Sequence, residues 1–159
     1  MVLMLGPDHP AVLTTRNNIA TYMGQAGDSA GALRLFAQLL PHRVRVLGPD
    51  HPDVLRTRNN IAAHTGEAED PAGALRSFER LLPDLVRVLG PDHPAALRTR
   101  SNMGVWTART GDPVGALRLF ERLLPDLVRV LGPDHPDVLG IQRNIAFLSD
   151  ARRSETGEQ

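Results

Sequence analysis

Four Asp-His pairs, Asp8-His9, Asp50-His51, Asp92-His93 and Asp134-His135, recur at a constant spacing of 42 residues. A carboxylate beside an imidazole is the raw material of metal sites and of proton transfer. A zinc site, however, needs its ligands to converge within about 2.0–2.3 Å of one ion. Pairs a full repeat apart do not converge in that way. Each pair lies in the same hexapeptide, Leu-Gly-Pro-Asp-His-Pro, which begins at Leu5, Leu47, Leu89 and Leu131. The spacing therefore reads as a turn rebuilt in every copy, and neither a metal nor a cofactor is expected. The Ser residues share no nucleophile elbow, and no Walker-type phosphate loop is present. Nearly every polar group has a copy 42 residues away, whereas catalysis needs one asymmetric constellation. The chain is not expected to be an enzyme.

A second recurring set suits recognition. Asn18, Asn60, Asn102 and Asn144 hold the same position in all four copies. An amide side chain both donates and accepts, the combination a peptide backbone requires. Packed helices lie about 8–10 Å apart and an extended chain advances about 3.3 Å per residue. One Asn per repeat can thus meet a bound backbone at about every third residue. The alternative is that each Asn bonds a neighbouring helix and only keeps the repeats in register. Asn17 and Asn59 are adjacent to this ladder, and Arg56 and Arg98 stand one helical turn before it. Either Arg suits a carboxylate of a ligand, or else a nearby acid of the chain itself. Arg16, Arg58 and Arg100 are expected to pair with acids between repeats. Trp106 is expected in the core.

The elements that carry these residues follow from the repeat. Residues 5–46 and 47–88 agree at 29 of 42 positions, and so do 47–88 and 89–130. That level of identity defines three repeats, near 10–51, 52–93 and 94–135, with a half repeat at 136–152 and a polar tail at 153–159. Each repeat reads as two helices. In the first copy Val12, Arg16, Ile19, Ala20 and Met23 share one face, and Ala32, Leu33, Phe36, Leu39 and Leu40 share another. Pro opens the first helix, a Gly-Asp turn separates the two, and Gly followed by Pro ends the second. Helices are predicted over 11–25, 29–47, 52–66, 71–89, 94–109, 113–131 and 136–152, with no sheet. Pro41, Pro83 and Pro125 fall inside the second helices and are expected to bend them without breaking them. The glycines at 31, 73 and 115 read as helix-packing positions.

Composition narrows the function classes. Basic and acidic residues balance at 18 each, which gives no electrostatic reason to expect nucleic acid or an anionic membrane. All the basic residues are Arg, a bias that suggests a GC-rich, bacterial genome. Without Cys there are no disulfides or thiolate metal sites. No apolar run approaches the roughly 20 residues of a membrane span, and a cytoplasmic location is expected.

The run Asn-Ile-Ala, Gly-Asp, Ala and Phe, at Ile19, Ala20, Gly27, Ala32 and Phe36 and at their copies, resembles the tetratricopeptide signature. The 42-residue period and its hexapeptide linker resemble the kinesin light chain type of repeat. That resemblance implies an all-α, right-handed superhelical solenoid of antiparallel helix pairs. It also implies that the Asn ladder binds a protein or peptide along the concave groove. Glu69 departs from the pattern, standing where Gly27 and Gly111 occupy the turn. In bacteria, similar repeats often sit behind a nucleotide-binding switch domain, so a self-associating or regulatory array in a larger signalling protein is the second reading. Residues Met1–Leu5 match the tail of a preceding second helix, and the fourth copy stops after its first helix. Incomplete capping at both ends would favour homo-oligomers.

Overall fold

The computed structural model describes residues 6–156, which form seven α-helices and, among the described residues, no strand. The helices are α1 (Pro10–Gln25), α2 (Ser29–Leu47), α3 (Pro52–Glu67), α4 (Pro71–Leu89), α5 (Pro94–Arg109), α6 (Pro113–Leu131) and α7 (Pro136–Thr156). They follow the predicted spans closely, except that α7 continues to Thr156, into the stretch expected as a polar tail. Met1–Leu5, expected to continue a preceding helix, lie outside the described residues.

Short-range chemistry sets the helix ends. His9, His51, His93 and His135 each accept, through Nδ1, the backbone N–H two residues on, at 3.1–3.2 Å. This satisfies one of the free donors of each first helix. The Asp beside the imidazole has a separate task. Asp8 pairs with Arg45, and Asp92 accepts two bonds of 2.7 Å from Arg129, tying the linker to the last turn of the second helix. Gly48, Gly90 and Gly132 leave the second helices at φ of 85°, 95° and 90°. Only glycine reaches that region without steric cost.

Asp28, Asp70 and Asp112 cap the second helices by accepting from the N–H of Gly31, Gly73 and Gly115 at 2.7–2.8 Å. A Cβ on any of these three glycines would come within 2.0–2.2 Å of the capping carboxylate. The missing side chain therefore makes room for the cap, and the expectation of plain helix packing is corrected accordingly. Helix packing does explain Gly104, whose Cβ position lies 2.5 Å from the Phe120 ring.

The chain packs as two compact units, Met1–Asp84 and Leu85–Gln159, with the border inside α4. In the N-terminal unit α2 packs on α1 and α3 around Leu13, Ala20, Ala32, Phe36 and Leu39. In the C-terminal unit α6 packs on α5 and α7 around Leu97, Phe120, Leu123, Leu127, Val138 and Ile141. Pro41, Pro83 and Pro125 are exposed, and each second helix runs through its Pro unbroken. The carbonyls freed by these prolines belong to exposed Ala37, Glu79 and Glu121, so water can satisfy them. The buried Phe and Leu stripe on the opposite side holds each helix together.

Candidate functional site

The ladder Asn residues sit in mid-helix on α1, α3, α5 and α7, Asn18 exposed and Asn60, Asn102 and Asn144 half-buried. None of the four amides bonds to a described residue through its side chain, so each keeps its donor and acceptor available. Their neighbours divide into held and open groups. Asn17 accepts from Arg43 at 3.1 Å, Asn59 is buried, and Arg56 is paired with Asp53 at 2.7 Å. Arg98 is exposed and makes no ion pair with a described residue. Arg58 and Arg100 bond Asp84 and Asp126, both at 2.7 Å. These links join the two helices of one repeat, not adjacent repeats as expected. The reason is register: the acid lies 26 residues after the Arg, on the second helix of the same pair. Trp106 is 6% exposed, with the Arg109 guanidinium 4.7 Å above its ring.

Two clefts gather ladder residues. In the C-terminal unit a cleft of about 660 Å³ opens between α5 and α7 over α6. Arg98 and Ser101 line one side, Arg143 and Asn144 the other, and Leu127 and Ile141 are buried at its base. In the N-terminal unit a cleft of about 300 Å³ brings Asn60 beside Thr21, Gln25, His64 and Glu67. His64 stacks on Phe36 at 5.7 Å between ring centroids, and its Nδ1 lies 2.9 Å from Glu67. Ser29 donates to the same carboxylate at 2.7 Å. The carboxylate thus bridges the hydroxyl and the imidazole, linking the start of α2 to the end of α3.

Sequence reasoning missed Arg43. It is 3% exposed, and its Nη1 donates to Asn17, to Thr57 Oγ1 at 2.7 Å and to the Asp53 carbonyl. Its Nε is buried without a partner. Burial lowers the pKa of this guanidinium; the Asp53 charge opposes the shift and the Arg56 charge adds to it. A signal was present: the equivalent positions are Leu85 and Leu127, so Arg43 is a charge in an apolar register.

The tetratricopeptide repeat model matches residues 12–53, 54–95 and 96–137. No curated protein matches the chain. Among solved structures, the nearly identical TPR-like repeats of a Podosopora anserina protein assigned to the kinesin light chains superpose with a TM-score of 0.77 at 21% identity. That alignment covers 98% of this chain and 74% of the other. BtubC (BKLC) from P. vanneervenii gives 0.76 at 16% identity, over 95% of this chain and 59% of its own. At such identities the likeness establishes the fold alone. With three matched repeats covering more than half of its length, the chain belongs to the tetratricopeptide repeat family.

Proposed function

We propose that the chain binds a peptide or an extended segment of a partner protein along the face formed by its first helices. Tetratricopeptide repeats build protein-interaction scaffolds and are generally non-enzymatic. The observation that carries the finer reading is the ladder itself. Asn18, Asn60, Asn102 and Asn144 share one register, and none spends its amide on a described neighbour. A register device would require those bonds. No helix of the described residues is long and apolar enough to cross a membrane. A bacterial, cytoplasmic setting is part of the same proposal and rests on the all-Arg, Cys-free composition. The test is to capture partners from the native host and measure their affinity for the Asn60→Ala, Asn102→Ala double variant. Affinity should fall at least about tenfold, or about 1.4 kcal/mol, with the melting curve nearly intact. A large loss of melting temperature at unchanged affinity would identify the ladder as a register device.

Self-association is the second reading, and the terminal helices favour it. Tyr22 is 69% exposed whereas its counterpart Trp106 is buried, and Leu139 is 42% exposed whereas Leu97 is buried. Exposed apolar faces of this kind mark interaction surfaces. Light scattering across a concentration series distinguishes the readings, since only an array gives a mass that rises with concentration.

A further inference from the structure

The repeat supplies an internal control for the α5/α7 cleft, because every position that lines it has a counterpart 84 residues earlier. Leu127 corresponds to Arg43, Ser101 to Asn17, Ile141 to Thr57, and Gly140 to Arg56. In the N-terminal unit these four residues are engaged with the protein itself. Arg43 spans from α2 to Asn17 on α1 and Thr57 on α3, and Arg56 is held by Asp53. In the C-terminal unit the same positions are short or apolar and reach across nothing. Gly140 lies inside α7, where glycine is less favourable than Ala. Yet among the described residues the nearest side-chain atom to its Cβ position is Arg143 Nη2, at 3.9 Å. No close packing demands a glycine there, and its absent side chain keeps the cleft open.

Charge divides in the same way. Arg98 and Arg143 replace Thr14 and Asn59, and neither makes a hydrogen bond or ion pair with a described residue. The other titratable groups lining the cleft are His135 and Asp137, 3.8 Å apart. Asp137 makes an ion pair with neither guanidinium, and two Arg against one Asp leave the lining net positive.

We propose that the α5/α7 cleft receives an acidic segment of a partner protein. Side-chain carboxylates pair with Arg98 and Arg143, and an apolar side chain between them rests on Leu127 and Ile141. Guanidinium and carboxylate match in charge and in planar geometry, and the buried Leu and Ile provide an apolar seat. This deepens the groove reading and rests on it, with Asn144 at the rim to meet the segment's backbone. Arg43 is then the device that withholds the equivalent place in the N-terminal unit.

The test is a selection of random dodecapeptides, displayed as amino-terminal fusions so that no free carboxyl terminus is offered, on the full chain. The expected consensus is Asp or Glu on either side of Leu, Ile, Val or Phe. Binding of a synthetic consensus peptide should weaken at least tenfold in Arg98→Ala and in Arg143→Ala, and should weaken with added salt. Leu127→Arg, which copies Arg43, and Gly140→Arg should have the same effect by closing the cleft, and the half-buried Gly140 keeps the test available if the change at buried Leu127 does not fold. A neutral or basic consensus, or an acidic one insensitive to all of these variants, overturns this assignment and leaves the groove reading standing. Failure to enrich any peptide overturns both.

Discussion

The two units place the same three-helix arrangement under different side chains. In the N-terminal unit a buried guanidinium ties α1, α2 and α3 together from within. In the C-terminal unit Leu127 and Ile141 pack at the equivalent depth, and an open cleft lies above them. One arrangement uses polar groups to close the fold on itself, and the other leaves its polar groups turned outward. A repeat scaffold therefore separates stability from recognition at a few positions without changing its helices.

The largest expected effects come from the packing that both units share. Phe36→Ala and Phe120→Ala each remove a ring that is at most 2% exposed and should cost about 3–5 kcal/mol in urea unfolding. A loss below about 1 kcal/mol for either would show that its unit does not depend on the Phe seat. Next comes the buried guanidinium. Thr57→Val leaves Arg43 without its 2.7 Å acceptor and should cost about 1–3 kcal/mol. Arg43→Leu, which copies the C-terminal unit, should be neutral or stabilising, by analogy with buried ion pairs replaced by apolar residues. If both variants lose the same stability, the polar tie is worth more than the apolar packing.

A smaller effect is expected at the turns. Glu69 holds φ of 71°, where Gly27 and Gly111 hold 92° and 89° in the equivalent turns. Glu69→Gly should stabilise by about 1 kcal/mol, since a side chain in this region costs about 1–2 kcal/mol. Gly111→Ala should destabilise by about as much, and thermal melts of the two variants should move in opposite directions.

The smallest effect is electrostatic. Arg129 beside Asp92, and Arg100 with Arg129 beside Asp126, hold both carboxyls below the usual range. Arg45 and His42 do the same for Asp8. Because the folded-state pKa lies below the unfolded one, the unfolded chain binds more protons as the pH falls. The contribution is complete above the unfolded value near 4 and is lost as the pH falls through the lower folded-state values. Asp126→Asn should flatten the acid limb of the stability curve slightly, and its loss at neutral pH should shrink with salt. An unchanged acid limb would show that these exposed pairs carry no linkage.

Seven helices and nearly all their ends were legible in the residues, because their signals are local. Pro at the first turn, Asp at the cap and Gly past the last turn act within four residues of themselves. The roles of the glycines inside the helices were less legible: Gly31, Gly73 and Gly115 read as packing positions, yet each makes room for a capping carboxylate, whereas Gly104 is the one that yields to a ring. The Arg58 and Arg100 pairs were visible as chemistry but not as partners, since a partner 26 residues away depends on how two helices fold back.

The sequence by itself determined the period, the helices, the family and the ladder register, each repeated often enough to stand above chance. Tertiary structure decided which side chains remain available to a ligand. Arg43 and Leu127 hold the same repeat position, yet one bridges Asn17 and Thr57 and the other lies at the base of an open cleft. That difference arises where α2 meets α1 and α3, and where α6 meets α5 and α7. There a single Arg or Leu either bridges the first helices or leaves the space between them open.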